Sequence, residues 1–261
     1  MSSVALNFKK YGSGGEPLII IHGLFGSHSN WAWHCRRFAE HYTVYALDMR
    51  NHGASPHVPS MDYAAMAEDV VRFMAEQELD HAHVLGHSMG GKVAMQLALS
   101  KPSLVDRLIV ADVAPVQYGG ERGEHDEIFE GLCALQPESL ETRNQADQQL
   151  AEWVEDEIVR QFLLSNLVRR EAGGFQWRIN LPVLKESYPA LRDKPSAEGP
   201  FEGPVLFIRG DLSDYIKPEH KDAILKPFPK ATVKTIMQTG HWLHAEKPET
   251  FHRLAADFLG D

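Results

Sequence analysis

The stretch His83-Val84-Leu85-Gly86-His87-Ser88-Met89-Gly90-Gly91, with the Ala- and Leu-rich run from Lys92 to Ser100 behind it, decides the fold. Val84-Leu85 carries an apolar strand signal, and residues 92–100 carry a helical one. Between them lies Gly-x-Ser-x-Gly on a sharp strand-to-helix turn. A serine on so tight a turn sits in strained backbone, which costs about 1–3 kcal/mol unless its surroundings enforce it. Side chains two residues to either side would collide where strand and helix nearly touch. Gly86 and Gly90 remove those side chains, and Gly91 gives further room. The Ser88 hydroxyl is then lifted clear beside a helix N-terminus with free N–H groups. Strand, turn and helix in this order read as a nucleophile elbow rather than a Gly-rich turn with an incidental serine.

Strand and helix signals alternate on both sides of the elbow. Val4–Tyr11 reads as an edge strand ending at Gly12-Ser13-Gly14-Gly15. Pro17-Leu18-Ile19-Ile20-Ile21 is a continuous apolar run, as expected of a strand buried on both faces. A helix carrying Trp31, Trp33 and Phe38 follows, with Asn30 as its expected cap. Tyr42–Leu47 is the next strand. Asp62 then starts a helix with Met66, Val70, Phe73 and Met74 at helical spacing. Beyond the elbow, Leu108–Ala111, Val205–Ile208 and Ala231–Met237 read as strands. The last helix has Pro248 in its first turn and Gly260 as its stop. From 117 to 202 no buried strand is expected. Helical patterns take over, notably Leu150, Trp153, Val154, Ile158 and Phe162, and Gly173-Gly174 breaks the run. The expected organisation is a core, 1–116 and 203–261, with a helical cap inserted over 117–202. The expected fold class is α/β, a mainly parallel twisted sheet with helices on both faces.

Bulk properties narrow the function. A chain of 261 residues with 43% hydrophobic and 24% charged residues is ordinary for a globular protein. A formal charge of −10 argues against nucleic acid and anionic membranes as partners. The two cysteines, Cys35 and Cys133, form no C-x-x-C and point to a reducing compartment. The N-terminal stretch has no long apolar run, and Leu18–Ile21 is far too short to span a bilayer. Cytoplasmic is the expectation.

In a parallel α/β sheet, sites form at the carboxyl ends of the strands. His22-Gly23, Asp48, Ser88, Asp112, Asp211 with Asp214, and His241 all follow strands, so all are expected along one rim. A serine hydroxyl needs a base within hydrogen-bond reach. His241, after the final strand, fits the chain order Ser…Asp/Glu…His. The other histidines are expected to be structural, with His22 bracing its loop and His87 packing beside the elbow. His81 with His83, and His241 with His244, lack a matching third ligand, so no metal is expected. The base needs a carboxylate to fix its tautomer. Asp112, Asp211 and Asp214 all satisfy the order. The oxyanion hole is expected from Met89 N–H and Leu24 N–H, with Phe25 as the fallback. Leu24, Phe25, Met89 and Trp242 are the candidate pocket walls.

HGLFGS, DMRNHGAS, GHSMGG and GHWLHAEKP stand where α/β-hydrolases of the serine-esterase type have their oxyanion loop, second loop, elbow and histidine loop. The chain resembles that superfamily over nearly its whole length. DVAPVQY and FQWRINLPVL further resemble the bacterial YbfF-type esterases, relatives of a mitochondrial abhydrolase. The resemblance implies that the acid is Asp112. Asp214, in RGDLSDYI, departs from that subgroup's pattern and stands as the reserve acid.

The expected activity is carboxylic-ester hydrolysis through an acyl-enzyme on short- to medium-chain acyl esters, with acyl-CoA thioesters included by resemblance. No cofactor is expected, and the expected assembly is a monomer or small homo-oligomer. Carbon–carbon bond hydrolases and cofactor-free perhydrolases share the triad and are the enzymatic alternatives. A binding protein on an inactive hydrolase fold is the non-enzymatic one.

Overall fold

The computed structural model describes residues 3–119, 125–196 and 199–260. Residues 120–124 and 197–198 of the expected insertion lie outside the described residues. The strands are β1 (Phe8–Tyr11), β2 (Pro17–Ile21), β3 (Thr43–Leu47), β4 (Ala82–His87), β5 (Val105–Ala111), β6 (Leu167–Arg169), β7 (Phe175–Trp177), β8 (Val205–Gly210) and β9 (Ala231–Ile236). The helices are α1 (Ala32–Phe38), α2 (Tyr63–Glu76), α3 (Met89–Ser100), α4 (Asp126–Ala134), α5 (Arg143–Leu150), α6 (Glu157–Leu164), α7 (Leu181–Leu191), α8 (Lys221–Leu225), α9 (Leu243–Glu246) and α10 (Pro248–Leu259).

Seven strands form one sheet in the order β1-β3-β2-β4-β5-β8-β9. Only β1 runs antiparallel, paired with β3 at the edge. The continuous apolar strands are explained by the two layers they separate. Ile19, Ile21, Val84, Val110 and Phe207 pack on one face with residues of α2 and α3. Leu18, Ile20, Leu85, Ile109 and Ile208 pack on the other with residues of α1 and α10. A strand covered on both sides has no wet face to carry polar alternation.

The helix ends follow their sequence signals. The Asp62 carboxylate accepts from Ala65 N–H at 2.8 Å and caps α2. Gly260 stops α10 in the left-handed region at φ 103°. Asn30 does not cap α1. It lies inside a short 3-10 turn, His28–Trp31, and its side chain accepts from Ser27 N–H at 2.7 Å. The chain has already turned at Ser27, so α1 starts one residue after that turn.

The segment between β5 and β8 carries α4 to α7, as its helical periodicity predicts. It also holds a hairpin, β6–β7, that the sequence reading did not anticipate. Each strand is three residues long, too short to show a period of two. Gly173 and Gly174, read as a helix break, form its turn at φ 91° and 69°. Leu167 and Phe175 are buried. Asn166 Nδ2 donates to Phe25 O at 2.7 Å, and Asn180 Nδ2 donates to Asn51 Oδ1 at 3.0 Å, tying this segment to the loops after β2 and β3.

Candidate active site

Ser88 sits between β4 and α3 with φ 53° and ψ −120°. This is left-handed, strained backbone, held by the close approach that the glycines permit. A Cβ on Gly86 would lie 2.1 Å from Gly90 O, and one on Gly90 would lie 2.4 Å from Ile21 O. The parallel register sets Gly86 beside Ile21 and His87 beside Ala111, so Ser88 emerges next to the end of β5.

The Ser88 hydroxyl is 3.0 Å from His241 Nε2, and His241 Nδ1 is 2.8 Å from Asp112 Oδ2. With Nδ1–H donating to the carboxylate, Nε2 is left to accept from the serine. Asp112, at φ 49°, is fully buried at the end of β5. Its Oδ1 accepts from Gly210 N–H at 3.1 Å, and its Oδ2 also accepts from the Ser213 hydroxyl. Burial pushes its pKa up to about 6, while Ser213 and Gly210 pull it down. The Tyr215 ring stacks on His241, 4.1 Å between centroids at 20°.

The other carboxylates are engaged elsewhere. The Asp214 side chain is 92% exposed and pairs with Lys217 at 3.2 Å. Asp211 accepts from Thr239 N–H at 3.1 Å. His241 Nδ1 pairs instead with Asp112.

The loop after β2 is braced by imidazoles. His22 Nδ1 donates to Gly23 O at 2.7 Å, and its Nε2 accepts from Met49 N–H at 3.0 Å. Phe25 N–H donates to His52 Nε2 at 3.1 Å. That bond commits the Phe25 amide, the fallback oxyanion donor, to His52. Leu24 N–H and Met89 N–H donate to no protein acceptor among the described residues. His87 packs beside the elbow, its Nε2–H donating to His241 O at 2.8 Å. Burial is the first cause lowering its pKa to about 3, followed by the neighbouring His241.

Two cavities open at Ser88. One is walled by Leu24, Phe25 and Trp242 from the core, and by Val159, Phe162 and Leu163 from α6. The other meets Leu24 and Met89 and runs toward Tyr63, Lys92, Tyr118 and Tyr188. All four expected pocket residues therefore line cavities that reach the serine. Buried Lys92 donates to Arg192 O at 3.1 Å and to Asp193 O, and burial lowers its pKa to about 7.

Sequence reasoning passed over Ser213, Tyr215, Tyr118 and Lys92. The first two flank Asp214 in the loop after β8. Lys92 sits one helical turn after Ser88, and its burial was not visible in the elbow motif.

A hydroxyl, an imidazole and a carboxylate hydrogen-bonded in series at the carboxyl ends of a parallel sheet define the class, an α/β serine hydrolase. A family model described as the alpha/beta hydrolase fold matches residues 16–248, and the chain belongs to that family. Esterase YbfF of Escherichia coli is 39% identical over 246 residues, covering 94% of each chain. An sn-1-specific diacylglycerol lipase of Xenopus laevis is 40% identical over 254 residues, covering 94% of this chain and 80% of that one. A solved structure described as a marine microorganism esterase superposes with a TM-score of 0.96 at 38% identity, covering 98% of this chain and all of the other. The chain is a carboxylesterase-type hydrolase of small-molecule esters. Among the described residues no helix is long and apolar enough to cross a membrane.

Proposed function

We propose that the enzyme hydrolyses carboxylic esters of short- to medium-chain acids, with acyl-CoA thioesters in its range, through an acyl-enzyme on Ser88. The observation that carries this reading is the unbroken series Ser88 Oγ, His241, Asp112, at 3.0 and 2.8 Å. Ser88 attacks the acyl carbon while His241 takes its proton. Asp112 keeps the imidazole in the accepting tautomer and stabilises the imidazolium. Leu24 and Met89 amides hold the oxyanion, each donor worth roughly 10²–10³ in rate. His241 then protonates the departing alcohol, and water repeats the sequence on the acyl-enzyme.

The insertion over 117–202 acts as a cap. Its Val159, Phe162 and Leu163 give the acyl group an apolar wall. The net charge of −10 supports work on small molecules away from nucleic acid and anionic membranes, and the free thiols of Cys35 and Cys133 support a reducing compartment, the cytoplasm; the proposed assembly is a monomer or small homo-oligomer.

A fluorophosphonate probe is expected to label Ser88, located by peptide mass spectrometry. Across p-nitrophenyl esters from acetate to palmitate, kcat/KM is expected to peak at butyrate to octanoate. A folded Ser88→Ala variant that keeps its activity would overturn the mechanism. A maximum at palmitate would overturn the chain-length assignment alone.

A further inference from the structure

The loop after β8 bonds its two aspartates to Thr239 and Lys217, and it reaches the acid through another side chain. The Ser213 hydroxyl donates to Asp112 Oδ2, the same oxygen that accepts His241 Nδ1–H. Tyr215 N–H donates to Ser213 Oγ at 3.3 Å. That contact occupies a lone pair on the serine and leaves its proton directed at the carboxylate. Gly210 N–H holds the other oxygen, Oδ1. A carboxylate bonded at one oxygen can still swing about its terminal torsion, which is soft. One bonded at both oxygens, from Gly210 and Ser213, presents a fixed edge to the imidazole.

The loop is itself anchored to the strand that carries the acid. Tyr118 OH donates to Tyr215 O at 2.6 Å and accepts from Ala114 N–H at 2.7 Å. Ala114 lies two residues beyond Asp112. A closed circuit results, from Asp112 along the chain to Ala114, across Tyr118 to Tyr215, and back through Ser213 to Asp112. The Tyr215 ring, on the same loop, stacks on His241. One short loop thus presses on the base and orients its acid.

We propose that Ser213 is the positioning residue for this reaction, its hydroxyl fixing the Asp112 carboxylate against His241 so that the pair works as one unit. The proposal rests on the Ser88–His241–Asp112 mechanism above. Ser213 acts on Asp112 and enters no step itself.

The chemistry sets the direction of the effect. A hydrogen bond donated to a carboxylate favours its ionised form. After burial, which raises the Asp112 pKa, the Ser213 hydroxyl is the foremost group holding it down. Without that hydroxyl the acid takes up a proton at higher pH, and a protonated acid cannot stabilise an imidazolium. Besides His241, the charged or titratable groups that act on Asp112 or feel its charge include His87 on β4, Arg209 on β8 and Tyr118. All stay in place when only the hydroxyl is removed.

The test is the pH profile of ester hydrolysis by Ser213→Ala. Expected are a fall in kcat of about 10-fold, the lower end for a hydrogen bond to a charged group, and an unchanged KM. The acid limb of kcat/KM should move to higher pH, and Ser213→Thr, which keeps the hydroxyl, should restore both. In proton NMR the downfield His241 Nδ1–H resonance should shift in Ser213→Ala. A folded Ser213→Ala with wild-type kcat and a wild-type acid limb overturns the proposal. Should Ser213→Ala not fold, Ser213→Cys, a weak donor of similar shape, takes its place with the same two outcomes. Failure of the underlying mechanism reads differently, as activity surviving in Ser88→Ala.

Discussion

Replacing Asp112 by asparagine should make this enzyme more stable and almost inactive at once. The carboxylate is fully buried, and burial lifts its pKa from its ordinary 3.8 to about 6. Above that pH the folded protein holds an ionised carboxylate that the unfolded chain would hydrate better. The cost of doing so is about 3 kcal/mol, since each pKa unit corresponds to about 1.4 kcal/mol. It is fully present above about pH 6, fades as pH falls toward 3.8, and is absent below. Asparagine carries no charge and escapes it. The expected gain in melting temperature near pH 8 is therefore at most roughly 6–12 °C for a chain of this size. It should shrink steadily toward about pH 4. Activity moves the other way. The amide places an NH₂ where Oδ2 now accepts from His241 Nδ1. The imidazole must then carry its proton on Nε2, where it cannot take one from Ser88. The loss in kcat should be on the order of 10⁴. The control is Asp214→Asn, which alters an exposed carboxylate paired with Lys217 and should leave kcat near wild type. Thermal melts at three pH values beside ester hydrolysis measure both effects. A melting gap that ignores pH, or greater damage from Asp214→Asn, would refute the reasoning.

Two further outcomes follow from the packing around the elbow. Gly90→Ala places a Cβ 2.4 Å from Ile21 O and 2.5 Å from His22 O, both backbone atoms. It should lower the urea midpoint by an amount equivalent to about 3 kcal/mol, and an unchanged midpoint would contradict the close approach. His34, His87 and His244 are buried together against Trp31, with pKa values lowered to about 4, about 3 and well below normal. Below pH 6.5 the unfolded chain takes up protons that these folded imidazoles refuse, so stability should fall as pH drops from 6.5 toward 4. Three histidines outweigh the opposite drift from Asp112, and a urea midpoint that stays level between about pH 7 and 5 would reject this.

Most of the fold was legible because its strands are buried on both faces. Runs such as Leu18–Ile21 and Leu108–Ala111 admit few other readings, and the Gly86–Gly90 spacing fixes the turn between β4 and α3. The hairpin β6–β7 was not legible, since three-residue strands carry no period and Gly173-Gly174 breaks a helix as readily as it turns a hairpin. Within the site, Ser88 and His241 could be read from order and motif. The acid could not be chosen from order alone. Asp112, Asp211 and Asp214 all follow strands, and what separates them is the direction of a side chain. The commitment of the Phe25 amide to His52 was equally hidden, because that contact joins the loops after β2 and β3.

The strand order explains why the loop after β8 had to enter the site. Ser88 follows β4 and Asp112 follows the adjacent β5, but His241 follows β9, two positions beyond β5. Neighbouring strands are about 4.8 Å apart, so the imidazole must cross the end of β8 to reach Asp112. Whatever leaves β8 therefore lies directly in the path between base and acid. A loop turned outward would leave the histidine spanning a gap, free to tilt. Here Gly210 and Ser213 bond the acid and Tyr215 stacks on the imidazole, so the intervening strand end becomes the support across which the two groups meet. The carboxylate at position 214 is surplus to this arrangement, because the loop's contribution is a hydroxyl and an aromatic face.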